Sequence, residues 1–104
     1  MIIRGLGPAL VPAVSSGAVL ANPVLQLHRY VNGQWELVAS NDNWDSSASA
    51  IQAFRTAGLA PITSSSLDAV LLLDLEPGIY TAQLSGARGT TGVGLIEVYE
   101  GPIQ

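Results

Sequence analysis

Residues 68–100 decide the fold, and they read D-A-V-L-L-L-D-L-E-P-G-I-Y-T-A-Q-L-S-G-A-R-G-T-T-G-V-G-L-I-E-V-Y-E. Two runs with strand composition, 69–75 and 79–85, flank the turn Glu76-Pro77-Gly78, and a third run covers 93–100. Proline fixes φ in such a turn and the glycine after it accepts a positive φ, so the chain reverses there. The stretch predicts antiparallel strands joined by turns.

The polarity of these runs indicates how each strand is covered. Tyr80, Ala82 and Leu84 fall on one face of the middle run, and this period of two predicts a half-buried strand. The three leucines at 71–73 are too apolar for a solvated face. We therefore expect the run at 69–75 to be covered on both sides.

Upstream, the sequence predicts three more strands. A short one at 2–4 is followed by an irregular Gly/Pro-rich connection over 5–22. Runs at 24–31 and 35–40 are separated by Asn32-Gly33, the strongest short signal for a β-hairpin. In the first of these two runs, Leu25 and Leu27 lie on one face.

Residues 46–58 have the only helical pattern; Ser46, Ser47 and Ser49 are candidate caps at its start, and Ser49 with Gln52 offers a capping box. Strands joined mostly by turns, with one short helix, predict an all-β fold: an antiparallel β-sandwich resembling a jelly roll. The length of 104 residues predicts a single domain over 1–104. We expect the first and last strands to lie close together, since chain ends often do.

Composition excludes some classes of partner. The net charge is −4 and there is no lysine, which argues against nucleic acid and against an anionic membrane surface. No apolar run reaches the roughly 20 residues of a membrane helix. The absence of cysteine excludes disulfides and thiolate metal sites. Gly5, Gly7, Pro8 and Pro12 interrupt the apolar N-terminus, which favours a structured first strand over a secretion signal.

Three segments carry a resemblance to a known type of module: N-D-N-W at 41–44, P-G-I-Y-T-A at 77–82 and T-G-V-G-L-I-E-V-Y at 91–99. With I-I-R-G-L-G-P-A-L at the N-terminus, they resemble a β-sandwich module found at C-terminal ends or in tandem in large secreted bacterial proteins. The turn and strand at 77–81 are also loosely similar to bacterial pre-peptidase C-terminal domains. The resemblance implies an extracellular or cell-surface accessory module, part of a longer protein, with no catalytic residues.

Two functions follow as hypotheses. The first is a non-catalytic spacer, stalk or self-associating module whose partners are neighbouring copies or flanking domains. Sheet edges without lysine would accept a strand from a neighbour. The second is a carbohydrate-binding module that serves an attached secreted enzyme, with a polysaccharide as its partner.

The loop at 41–45 is a candidate calcium site, with Asn41, Asp42, Asn43 and Asp45 as oxygen ligands. Its spacing matches no complete calcium-loop pattern, and no other cofactor is implied. The alternative is an Asx-turn that holds Trp44 in the core. Asp68 is one of the carboxylates that would add a ligand if the fold brought it near.

Tyr30 and Trp35 are the candidate sugar platform, because flat rings bury the apolar face of a pyranose and these two are predicted to be exposed. His28 is the only histidine, so a Ser–His–Asp triad would have to use it. No G-x-S-x-G nucleophile elbow occurs, so the sequence favours an ordinary half-exposed strand histidine.

Overall fold

The computed structural model describes residues 1–100, and it confirms the predicted antiparallel sandwich with one short helix over those residues. Residues 101–104 of the predicted domain lie outside them. The elements are β1 (Ile2–Leu6), β2 (Pro23–Val31), β3 (Gln34–Asn41), α1 (Ala48–Ala57), β4 (Ala69–Leu72), β5 (Tyr80–Gly86) and β6 (Leu95–Tyr99). Short 3-10 helices occupy Pro8–Leu10 and Ala87–Gly89.

The strands form two three-stranded sheets, ordered β4-β1-β6 and β3-β2-β5. The chain passes from one sheet to the other at every connection between strands except the β2–β3 hairpin, as it does in a jelly roll. Strand β1 lies over β2, so the two central strands face each other across the core. Strand β1 also pairs with β6 from Ile2↔Tyr99 to Leu6↔Leu95, which confirms that the first and last strands are neighbours.

Strands β1 and β4 of the β4-β1-β6 sheet are covered on both faces, whereas Leu95 and Val98 of β6 are exposed. Ile3, Ala69 and Leu71 point toward the second sheet, where they pack with Leu25 and Leu27. The opposite face packs against helix α1 and its flanking loops, in a cluster with the members Ile2, Leu6, Val70, Trp44, Ala50, Ala53, Phe54 and Ile62. Every residue of β1 is buried. The leucine-rich run is therefore covered on both sides, as its composition predicts.

The β3-β2-β5 sheet is covered on one face only. Leu25 and Leu27 are buried in the inter-sheet core, and the predicted face formed by Tyr80, Ala82 and Leu84 packs against the same core. Nothing among residues 1–100 covers the other face of this sheet as a layer, so its side chains are half-buried or exposed.

The hairpin between β2 and β3 is confirmed at the predicted turn. Asn32 has a φ of 52° and Gly33 a φ of 80°, the two positive values that a type I′ turn requires. The register between β2 and β3 shifts between Leu27 and His28, which pair with Ala39 and Leu37. The extra residue, Val38, forms a β-bulge in β3.

The N-cap of helix α1 is one of the three predicted serines, two residues before the predicted capping box. Ser47 is the N-cap, and its Oγ accepts a hydrogen bond from the backbone N–H of Ala50 at 3.1 Å. The prediction of a box formed by Ser49 and Gln52 is wrong, because the Gln52 amide donates to Thr56 Oγ1 instead. Gly58 closes the helix at its C-terminus.

Two predicted strands are shorter in the structure. β4 ends at Leu72, which pairs with Ile2, and Leu73 then exchanges backbone hydrogen bonds with Met1 at 2.8 and 3.0 Å. β6 begins at Leu95 because Val93 exchanges backbone hydrogen bonds with Ala18 and Leu20 at 2.8 Å. The N-terminal connection is thus held against the start of the last strand.

Candidate functional site

The predicted calcium loop uses its polar side chains to hold backbone. Asn41 Oδ1 accepts a hydrogen bond from the backbone N–H of Val70 at 3.0 Å. Asp45 Oδ1 accepts one from the backbone N–H of Ser47 at 3.0 Å, which makes an Asx-turn just before helix α1. Asp42 and Asn43 are exposed. Two of the four predicted ligands therefore accept backbone hydrogen bonds: Asn41 joins β3 to β4, and Asp45 holds the start of the helix.

Trp44 lies in the core, as the alternative interpretation of this loop predicts. Its backbone N–H donates to the carbonyl of Asp68 at 2.9 Å, and its indole Nε1–H donates to the carbonyl of Thr63 at 3.3 Å. The ring stacks on Phe54 with 5.5 Å between centroids. Within residues 1–100, no three side chains of His, Cys, Asp or Glu gather as a metal site would require. Calcium binding by this loop remains a prediction.

Asp68 is the most deeply buried carboxylate among the described residues, and it binds the other end of the chain. Its Oδ1 accepts from the backbone N–H groups of Gly7 at 2.7 Å and Ala9 at 3.1 Å, and its Oδ2 accepts from Ser66 Oγ. Gly7 also lies against Leu20, since a Cβ there would be 1.9 Å from the carbonyl oxygen of Leu20. Asp68 thus satisfies backbone N–H groups at the start of the first 3-10 helix.

Arg4 is a second buried charge that the sequence analysis did not single out. Its Nη2 lies 2.7 Å from Glu97 Oε1, and its Nη1 donates to the carbonyl of Ala60 at 2.7 Å. The guanidinium also lies over the ring of Phe54 at 4.9 Å. A lone arginine inside an apolar strand indicates a buried ion pair, but only the fold identifies Glu97 as its partner.

The predicted aromatic pair is exposed and adjacent. Tyr30 and Trp35 face each other across the β2–β3 ladder and are 45% and 49% exposed. Their ring centroids are 5.1 Å apart, and the planes are inclined at 63°. One ring thus stands against the edge of the other, and the pair does not form a single flat plane.

These two rings belong to a larger surface, the outer side of the β3-β2-β5 sheet, which we call the open face. Partners in an antiparallel ladder share a face, so the register places Leu37 beside His28, and Thr81 on its other side. The open face includes Gln26, His28, Tyr30, Trp35, Leu37, Thr81 and Gln83. It combines apolar area with amide and hydroxyl groups, and the described part of it carries no carboxylate.

His28 lies in the middle of this face and is half-buried, as predicted for an ordinary strand histidine. Its Nδ1 is enclosed and makes no hydrogen bond with any described residue. A triad histidine needs a carboxylate to orient its ring through one nitrogen, and within residues 1–100 no such bond reaches Nδ1.

Strand β3 forms an edge of the sheet, and β2 is its only ladder partner among the described strands. Three of its apolar side chains are exposed: Trp35, Leu37 and Val38. The strand has eight residues and contains neither proline nor lysine. Proteins block long edges with such residues, with other charged side chains and with β-bulges; β3 has one charged residue, Glu36, and one bulge at Val38.

Comparison with known proteins identifies no relative. The sequence matches no protein-family model, and searches of curated proteins and of solved structures found no match. Among residues 1–100, no helix has both the length and the apolar character needed to cross a membrane.

Proposed function

We propose that this chain is a non-catalytic assembly module of a secreted or cell-surface bacterial protein, which associates with neighbouring copies or flanking domains. The observation that carries the proposal is the edge of β3, which contains neither proline nor lysine and has Trp35, Leu37 and Val38 exposed along it. The low share of charged residues, 12%, supports a surface that packs against neighbours. The sequence resemblance supports the extracellular location.

The unpaired N–H and C=O groups of an edge strand accept a strand from another chain, and the side chains add apolar contact. Complete burial of a large apolar side chain contributes roughly 1.5–3 kcal/mol, so each half-exposed one contributes about half of that. Three such side chains from each copy would supply roughly 4–9 kcal/mol, against an association cost of about 4–15 kcal/mol. We therefore expect weak pairing of separate copies and much stronger pairing of copies linked in tandem.

Sedimentation equilibrium tests this proposal. The wild-type chain should associate reversibly at concentrations of about 0.1–1 mM. Val38→Lys should abolish association, because a lysine on an edge strand must lose hydration to pair. Leu67→Lys is the matched control, since Leu67 is equally exposed but lies outside the strands. A strictly monomeric wild type, or equal loss in both variants, would contradict the proposal.

A carbohydrate-binding module is the second candidate, and the composition of the open face favours it. The ring of Trp35 can stack on a pyranose while Tyr30 stands beside it, and Gln26, Thr81 and Gln83 offer hydrogen-bonding groups on the same surface. In this arrangement the inclined rings hold one sugar unit and do not align along a chain.

Co-sedimentation with insoluble polysaccharides and titration with soluble oligosaccharides test this second candidate. Binding should fall at least tenfold in Trp35→Ala and remain unchanged in Leu67→Ala, which shortens an exposed side chain elsewhere. Because Val38 lies on the edge, Val38→Lys should disrupt self-association while preserving sugar binding. If Trp35→Ala still bound the polysaccharide, the open face would not be the sugar-binding site.

A further inference from the structure

A cavity of about 270 Å³ opens on the other side of the molecule, between helix α1 and the segment that follows the helix. Apolar side chains form most of its wall, with a single guanidinium at the mouth. The lining includes Trp44, Ile51, Phe54, Leu59, Ile62 and Arg55. Helix α1 packs on the β4-β1-β6 sheet, so this cavity is separate from the open face.

The floor of the cavity is rigid and aromatic. Trp44 and Phe54 are 6% and 3% exposed, and their rings stack with 25° between the planes. The hydrogen bond from Trp44 Nε1 to the carbonyl of Thr63 fixes the indole. A planar ligand would therefore meet a preformed surface and would not need to reorganise the core.

The charge at the mouth has no partner in the described chain. Arg4 pairs with Glu97 and Arg29 lies near Glu76. Arg55, in the last turn of α1, is exposed, and its guanidinium makes no hydrogen bond or ion pair within residues 1–100. A guanidinium beside an apolar wall is suited to bind a carboxylate whose hydrocarbon part enters the wall.

We propose that this cavity binds a small aromatic carboxylate, with its ring against Trp44 and Phe54 and its carboxylate on Arg55. An apolar cavity of about 150 Å³ accommodates benzene, so this one has room for a ring and a short acidic chain. A sugar is a poor fit, because its hydroxyl groups would lose hydration against Ile51, Leu59 and Ile62 without gaining hydrogen bonds.

Titration with 3-phenylpropionate tests the proposal, with 3-phenylpropionamide as the neutral control. A Trp35→Phe background leaves Trp44 as the only indole, so its fluorescence reports the cavity. The acid should bind saturably with a Kd of about 0.1–5 mM, and the amide about three- to fivefold more weakly. Salt at about 1 M should remove this difference, because the ion pair is exposed.

Substitutions test separately the guanidinium that would bind the carboxylate and the apolar cavity that would bind the ring. Arg55→Gln should equalise the affinities for acid and amide, whereas Arg88→Gln, at another exposed arginine, should leave their ratio unchanged. Ile51→Phe should fill the cavity and abolish binding of both ligands while Trp44 stays the only indole. Leu59→Phe fills it from the segment after the helix and serves if Ile51→Phe fails to fold, as judged by circular dichroism.

Three results would overturn the proposal: no saturable binding up to about 20 mM, equal affinity for acid and amide in the wild type, or undiminished binding in a folded cavity-filled variant. The measurement is made at micromolar protein, where separate copies do not pair. Its outcome is thus independent of the proposed assembly function.

Discussion

The two sheets of this sandwich have three strands each but are covered differently. The β4-β1-β6 sheet has the core on one side and helix α1 on the other, whereas the β3-β2-β5 sheet has the core on one side only. The difference is visible in the strands: I-I-R-G-L is buried throughout, and P-V-L-Q-L-H-R-Y-V is buried only at Pro23, Leu25 and Leu27. Stability is therefore concentrated around the first sheet, and the second sheet has the exposed surface that we propose for partners.

The largest expected effect of a single substitution is at the helix-covered side. Phe54→Ala should lower the free energy of unfolding by about 3–5 kcal/mol, since it removes a buried ring that contacts both Trp44 and Arg4. Leu37→Ala, on the open face, should cost less than about 1 kcal/mol because the side chain is already 56% exposed. Urea denaturation measures both. Similar losses would mean that the open face is covered in solution.

An intermediate effect is expected where the first sheet is tied to the N-terminal segment. Asp68→Asn should lower the free energy of unfolding by about 2–4 kcal/mol, because an amide cannot accept all three hydrogen bonds that the carboxylate receives. Asp74→Asn is the control, an exposed carboxyl group that should change stability by less than about 0.5 kcal/mol. Thermal unfolding followed by calorimetry distinguishes the two. A neutral Asp68→Asn would show that this network adds nothing to the first sheet.

The smallest effect concerns the start of the covering helix. Ser47→Ala should cost about 1 kcal/mol, since it removes the side chain that caps Ala50 N–H, and Ser49→Ala should cost nothing measurable. Chemical denaturation of the two variants in parallel measures both losses of stability. A larger loss in Ser49→Ala than in Ser47→Ala would support the capping box that the sequence predicts at Ser49.

Local patterns predict much of the fold. The hairpin at Asn32-Gly33, the strand runs, the burial of Trp44 and the exposure of Tyr30 and Trp35 each depend on neighbouring residues and turn chemistry, and each is confirmed. What the sequence does not indicate depends on residues distant in the chain. The end of β4 depends on the pairing of Leu72 with Ile2 at the start of β1. The start of β6 depends on a bridge between Val93 and Val19.

The same distinction applies to the candidate sites. The sequence marks Asp45 and Asn41 as polar loop residues, but it does not show that their acceptors are already occupied by Ser47 and Val70. The cavity beneath α1 is not predictable either, because its walls come from the loop before the helix, the helix itself and the segment after it. Asp68 precedes a run of apolar residues, and that position is the one sequence signal that it is buried.

The pairing of Ile2 with Tyr99 has a mechanical consequence. Because β1 and β6 are antiparallel, a pulling force applied at Met1 and Glu100 acts on two residues that lie at the same end of the β1–β6 ladder. Such a force loads the ladder one rung at a time, so hydrogen bonds break in succession instead of resisting together. Under tension, β1 and β6 would therefore separate before the force reached β2 or β3 in the other sheet.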